Sequence, residues 1–338
     1  MNRSASGLGV ITLGRLAGVL FVLAISATLM KALARSPAQC SSASIGLART
    51  IEIDTRGGPR FGQQQYPGKS LLRDGEVILT FDDGPHRTLT SPILDALDQH
   101  CTKATFFMVG QRALAHPDLV RDVSGRGHTV ATHTWSHQNL GKIDPASARA
   151  EVELGISAVQ RALGSPAAPF FRFPYLAYTS ETHAHLAGRD TGIFSIDVDS
   201  YDFKTRSPTV VIRNVMRQLE EKRQGIILFH DIQPSTAGAL ATLLSELKAR
   251  GFKVVHMIPR RGQTTLAEFD RRVGGGNLRH LASVPLSQRG IVSPAWEVQV
   301  YRGPTASPSA EQSNSATGLR RLRREGEDDW QRSIFRGW

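Results

Sequence analysis

The sequence predicts an α/β fold organised around a parallel sheet. Short apolar, β-branched runs alternate with helical patterns between residues 76 and 258, the signature of strand–helix–strand units. One helical pattern, residues 146–163, is clearly amphipathic, with Val152, Ile156, Val159 and Leu163 at three- and four-residue spacings. With 338 residues, 40% of them hydrophobic and 21% charged, the chain can bury a sizeable core and still carry appendages.

Taken in order, residues 76–81 (EVILTF) form a strand that ends at Asp82-Asp83-Gly84-Pro85, a turn signal. Residues 91–99 have helical spacing, with Ile93, Leu94 and Leu97 on one side. Residues 104–109 (ATFFMV) read as a buried strand, 117–123 as a helix and 128–132 as a strand. Beyond the amphipathic helix, strands are expected at 170–172, 192–196, 225–229 and 253–255, and helices at 209–222 and 237–250. This alternation fits a sheet that is open or one closed into a barrel.

The flanks differ from this core. Arg3 and Arg15 precede an uncharged, largely apolar run at residues 16–30, and Ala32-Leu33-Ala34 follows it, the order of a secretory signal peptide. The run is shorter than the ~20 residues of a spanning helix. An uncleaved signal anchor, which would keep the protein in contact with the membrane, is the second reading. Both export the rest of the chain, because the orienting positive charges come first. The chain therefore divides into an export segment at 1–34, a linker or lead-in at 35–74, the α/β domain at 75–260 and a basic, disordered tail at 261–338. The formal charge of +11 comes from 41 Lys and Arg against 30 Asp and Glu. From Arg260 onward there are 13 Arg and 8 Asp plus Glu, so 13 − 8 = +5 of it sits in the tail. With the charge spread in this way, no nucleic-acid partner is expected. The two cysteines, Cys40 and Cys101, exclude a disulfide-dense scaffold and a Cys-type zinc module. They read as a pair or, with at least equal weight, as separate thiols.

Five short segments carry candidate chemistry, each at the C-terminal end of an expected strand or just after it, where parallel α/β folds build their sites. Asp82 and Asp83 are adjacent carboxylates, which persist in a pocket chiefly when a cation or a proton compensates them. Neighbouring strand residues point opposite ways, so the chain must turn, at Gly84, for both to reach one site. An exposed acidic turn is the plain alternative. In His133-Thr134-Trp135-Ser136-His137 the two histidines share a face if the chain makes a helical turn, a spacing suited to chelating one metal ion. Thr134 stands where the metalloprotease motif has its glutamate base, so a base must come from elsewhere, and the Asp82-Asp83 pair can supply it. Phe171-Arg172-Phe173-Pro174-Tyr175 brings a fixed cation and an aromatic. Residues 197–203 bring Asp197, Asp199 and Asp202, and His230 ends a hydrophobic strand. The remaining histidines, such as His100, His116 and His256, read as structural.

In this order, the five segments resemble the signature of the polysaccharide deacetylases, carbohydrate esterase family four or the NodB homology domain, over about residues 76–258. The resemblance implies a distorted (β/α) barrel with fewer than eight full strands. It implies one divalent metal ion, zinc first with cobalt or nickel also suited, on Asp83, His133 and His137. It makes Asp82 the general base and His230 the general acid, with Arg172 holding the base and Asp202 tuning the acid. The Tyr175 backbone N–H would bind the oxyanion, Leu228 would line an acetate-methyl pocket, and Phe203 would contact substrate. The family's fourth segment usually ends Asp-Trp, where this chain has Asp202-Phe203. Its third often reads Arg-Pro-Pro-Tyr, where this chain has Phe173 for the first proline. Both changes touch the pocket wall and leave the polar groups intact. The implied substrate is an N-acetylated polysaccharide or oligosaccharide outside the cytoplasm. A non-catalytic glycan-binding protein on the same fold is the rival reading, and it has no need for Asp82 and His230 beside an intact ligand set.

Overall fold

Glu76–Asp82 (β3) lies at the centre of an eleven-stranded sheet and is buried along its whole length, as Val77, Ile78, Leu79 and Phe81, apolar on both faces, require of a covered strand. The computed structural model describes residues 40–274 and 298–302. The export segment and most of the predicted tail lie outside them, and no helix of the described residues is long and apolar enough to cross a membrane. All strand pairs are parallel.

On one edge β3 pairs with Gly225–His230 (β9), which in turn pairs with Val198–Asp199 (β8). On the other edge, its upper half pairs with Thr105–Met108 (β4). From there the sheet runs through Thr129–Thr132 (β5), Phe170–Phe171 (β6) and Gly192–Phe194 (β7) to Arg60–Phe61 (β2). The lower half of β3 pairs instead with Lys253–Pro259 (β10), from which Arg49–Asp54 (β1) and Val298–Arg302 (β11) branch away. Helices Thr90–Gln99 (α1), Gly110–Ala115 (α2), Pro117–Gly125 (α3), Pro145–Leu163 (α4), Ser180–Gly188 (α5), Pro208–Lys222 (α6), Pro234–Ala249 (α7) and Ala267–Arg272 (α8) connect or flank the strands. The main apolar core joins Leu79 and Phe81 of β3 to Leu94 and Leu97 of α1 and Leu243 and Leu247 of α7.

The predicted amphipathic helix is α4. Asp144 caps it by accepting from the Ala146 and Ser147 amides, Pro145 fits its first turn, and Gly164 ends it at φ 73°. Its buried stripe includes Val152, Ile156 and Val159.

Three expectations are corrected. The lead-in is not a free linker: β1 and β2 lie within it and belong to the sheet. Arg49 of β1 is buried because it forms a two-pronged ion pair with Glu76, at 2.8 and 2.6 Å. The domain does not stop at residue 260, since α8 and β11 follow, β11 pairs with β1, and the Tyr301 ring lies 5.8 Å from that of Phe61. Finally, Cys40 and Cys101 are disulfide-bonded, with Cα atoms 5.7 Å apart, so the reading of separate thiols does not hold. The bond fastens residue 40 to the end of α1, where Ser44 Oγ also donates to Gln99 O at 2.9 Å.

Candidate active site

The C-terminal ends of β3, β5, β6 and β9 converge, and the predicted residues converge with them. Parallel register sets Asp82 opposite His230. After Asp82 the chain turns at Asp83 itself, which takes a left-handed φ of 75°, rather than at Gly84 as expected. That turn lets two consecutive carboxylates enter one site despite strand alternation.

His133 and His137 are also brought together differently from expectation. They sit on a loop, not a helical turn, with Thr134 at φ 67° and His137 at φ 64°. Neighbouring elements hold the loop in this rarely populated backbone region. The amides of Gly110 and Gln111 donate to the carbonyls of Thr134 and Trp135 at 2.9 and 3.0 Å. Glu151 of α4 accepts from the Ser136 amide and hydroxyl at 2.8 and 2.7 Å. Gly155 of α4 lets the helix press on the loop, since a Cβ there would lie 2.5 Å from the Thr134 carbonyl carbon.

One ligand atom from each of Asp83, His133 and His137 can be chosen so that all lie within 4.8 Å of one another. Their chemistry fits a cation. His133 Nδ1 is 2.7 Å from the Arg172 carbonyl, which can only accept, so Nδ1 carries the proton there. Burial and the nearby His137 press the His133 pKa down to about 3, so its Nε2 presents a lone pair. That lone pair points at a carboxylate oxygen, Asp83 Oδ1, 3.5 Å away, and His137 Nε2 is 3.1 Å from the same atom. Both Asp83 oxygens are buried and accept no hydrogen bond among the described residues. Burial alone would raise the Asp83 pKa, but the facing His137 and His230 hold it below the usual carboxylate range. A divalent cation is the group that such a donor set lacks.

Asp82 and His230 flank this cluster and are controlled by different partners. Arg172 is fully buried, donates from Nη1 to Asp82 Oδ1 at 2.7 Å and to Thr80 Oγ1 at 2.8 Å, and stacks 4.4 Å from the Phe107 ring centroid. Its other nitrogens donate to the Phe194 and Ser195 carbonyls at 3.3 and 3.2 Å. Burial nevertheless pushes the Asp82 carboxyl up to about 6, against the pull of Arg172. On the far side Asp202 Oδ1 lies 2.7 Å from His230 Nδ1, and its Oδ2 accepts from the His230 amide at 2.7 Å and from the Thr236 hydroxyl. Burial would depress His230, but Asp202 raises it to about 10.

The remaining predicted residues line the same region. Tyr175 sits at φ 57° with its ring 4.8 Å from that of His137, the Phe203 ring stands edge-on to His230 at 5.6 Å, and Leu228 is buried on β9 opposite Thr80. Asp199 lies on β8 opposite Leu228 and accepts from the Tyr201 amide at 2.8 Å, and Asp197 accepts from the Ile226 and Gln63 amides at 2.7 and 2.6 Å, so both carboxylates are engaged by backbone amides. Sequence reasoning missed Thr80, Glu151 and Thr236. Thr80 was findable, because two residues before Asp82 on a strand is the same face. Glu151 and Thr236 act across long sequence separations and carry no local signal.

The parallel α/β sheet thus brings Asp82 and His230 beside an Asp-His-His cluster at the C-terminal ends of its strands. The family model for polysaccharide deacetylase matches residues 70–192. A Bradyrhizobium chitooligosaccharide deacetylase is 31% identical over 197 residues, covering 54% of this chain and 89% of that protein. The Listeria monocytogenes peptidoglycan-N-acetylglucosamine deacetylase PgdA is 34% identical over 182 residues, covering 53% of this chain and only 37% of PgdA. The solved structure of a Bdellovibrio bacteriovorus peptidoglycan deacetylase superposes with a TM-score of 0.59 at 28% identity, covering 73% of this chain and 71% of that one. The chain belongs to the polysaccharide deacetylase family.

Proposed function

We propose that this protein hydrolyses the N-acetyl group of N-acetylhexosamine units in an envelope glycan of the peptidoglycan or chitooligosaccharide type, with one divalent cation held by Asp83, His133 and His137. The observation that carries the reading is the pairing of a carboxylate and a histidine, Asp82 and His230, beside that ligand set, each with its own buried partner. A pure glycan binder has no use for such a pair.

Bound there, a zinc ion would polarise the amide carbonyl and lower the pKa of water from ~15.7 toward ~7; cobalt or nickel suit the same donors. Asp82, fixed by Arg172, takes the proton from the attacking water. The Tyr175 amide donates to the oxygen on which negative charge develops. The amine is a poor leaving group until protonated, and His230 supplies that proton from Nε2, because Nδ1 is committed to Asp202. Both groups are shifted upward, His230 further than Asp82, so between about 6 and 10 the carboxyl is ionised while the imidazole keeps its proton, the pattern expected of a base and an acid sharing one site. Leu228 offers an apolar seat for the acetyl methyl, and Phe203 forms the wall beside His230.

Export supports the same reading. A disulfide is at home in an oxidising compartment, residues 16–30 read as an export signal or membrane anchor, and the relatives named above act on peptidoglycan or chitooligosaccharide. Acetate release from zinc-loaded protein is the test, on a panel of peptidoglycan, chitooligosaccharides, acetylated exopolysaccharide and an O-acetylated glycan. Release from an N-acetylated member is expected. A fully metallated protein that binds these glycans and releases nothing would establish the non-catalytic alternative.

A further inference from the structure

Residues 60–66 lie N-terminal to the stretch that the family model matches, yet they are stitched to the loops that carry the site. Phe61 O accepts from the Ser195 amide at 2.7 Å, and the Gln64 amide donates to Ile196 O at 3.1 Å. Gly62 makes this approach possible: it sits at φ 93°, and a Cβ there would lie 2.5 Å from the Ser195 carbonyl carbon. Ser195 and its neighbour Phe194 are the residues whose carbonyls anchor Arg172.

The segment then reaches a second catalytic loop. Gln65 Nε2 donates to the Leu176 carbonyl at 2.6 Å, across 111 residues of sequence. Tyr175 and Leu176 are consecutive non-glycine residues in the left-handed region, at φ 57° and 53°. Such residues are strained and persist only where the surroundings over-determine them. The Leu176 and Ala177 amides close the turn onto Phe173 and Pro174, both at 3.0 Å, and the Gln65 amide secures the Leu176 carbonyl. The Tyr175 ring in turn packs against His137.

We propose that Gln65 is a positioning residue that locks the turn at Tyr175 and Leu176, which makes residues 60–66 part of the active site. The inference rests on the deacetylase reading for the role of the Tyr175 amide, but the tether itself does not depend on it. Gln65→Leu removes the donor, and Gln65→Glu keeps the shape while presenting only acceptors. A loosened oxyanion donor lowers turnover more than ground-state binding. In the full-length zinc-loaded protein, both variants should lose about tenfold or more in kcat with KM within about twofold. Zinc content should be unchanged, and amide hydrogen exchange at residues 175–177 should be at least about tenfold faster. A merely structural role would leave the kcat-to-KM split untouched. Wild-type exchange at 175–177 in both variants would overturn the proposal, and so would faster exchange with kcat intact, or losses confined to KM or zinc. If the wild-type protein released no acetate from any glycan, the deacetylase reading would fail separately. Exchange that responds to Gln65 would still uphold the tether, and exchange that does not would sink it.

Discussion

Asp82 and His230 face each other in register on neighbouring parallel strands, and opposite partners hold them in opposite charge states. Burial raises Asp82 to about 6 and Asp202 raises His230 to about 10. The proposed base must be deprotonated and the proposed acid protonated, and a bound divalent cation lowers both groups, so activity should climb with pH through a limb below about 6 and fall through one below about 10. Asp202→Asn removes the largest influence that keeps His230 protonated, leaving only Asp83 and Asp82 to oppose burial. The alkaline limb of the kcat/KM profile should move to lower pH, with the acid limb in place. An alkaline limb that stays put in this variant contradicts the assignment of His230 as acid.

Ligand and base are separable by substitution. Asp82→Asn leaves Asp83, His133 and His137 untouched, so zinc measured by elemental analysis should remain near one per chain while deacetylation drops by at least about a hundredfold. His133→Ala removes one of three ligands and should lose zinc as well as activity. Near-normal turnover in Asp82→Asn, or full zinc in His133→Ala, would reverse these roles.

Arg172 is the third separable group, because its guanidinium is the only cation within bonding distance of Asp82 among the described residues. Removing one partner of a buried ion pair costs about 3–5 kcal/mol. Arg172→Met should therefore lower the stability of the fold by that order in urea unfolding. Double substitution with Asp82→Asn should recover part of the loss, because no uncompensated charge then remains. Strict additivity of the two substitutions would show that they do not interact.

The strands of the central sheet and the five chemistry-bearing segments were legible in the sequence because each is local: an apolar run, then polar residues at its end. β1 was not legible, because Arg49, Glu52 and Asp54 interrupt Ile51 and Ile53 in a pattern that makes sense only once Arg49 meets Glu76. α5 buries little beyond Thr182 and Leu186, so it has no apolar stripe to read, although Thr179 and Thr182 cap it reciprocally. The loop geometry of His133 and His137 was hidden for another reason. Left-handed backbone is usually announced by glycine, and here Thr134 and His137 adopt it because α4 and the start of α2 hold the loop.

The Cys40–Cys101 bond closes a loop with a sequence separation of 61. Limiting the unfolded chain in this way contributes about 4 kcal/mol in the chain-entropy model. Cys40→Ser with Cys101→Ser should therefore unfold at lower urea than the oxidised protein, by roughly that free energy, and reductant should bring the wild type down to the same curve. Coincident curves for oxidised wild type and variant would show that the bond is absent from the folded protein or adds nothing to it.

Two histidines outside the site give a stability prediction with a definite sign. His128 and His256 are each 4% exposed; His128 Nδ1 accepts from the Ala104 amide at 3.2 Å, and His256 Nε2 contacts Thr129 Oγ1 at 3.0 Å. Burial, with Lys103 nearby, lowers His256 to about 3 and holds His128 well below the usual range. Both are therefore neutral in the fold and gain a proton only on unfolding once pH drops below about 6.5. Both contributions are complete above that value and diminish as pH falls below it, that of His256 by about 1.4 kcal/mol per pH unit down toward about 3. Asp82 and Asp231, whose carboxyls are raised by burial, act in the opposite sense, so the total slope mixes both effects. Comparing His256→Gln with wild type cancels them. The variant should start less stable at pH 7, where it has lost a well-packed ring, and its stability should then fall by about 1.4 kcal/mol less per unit between pH 6 and 4.5. Parallel curves over that interval would mean that His256 is already charged in the native protein.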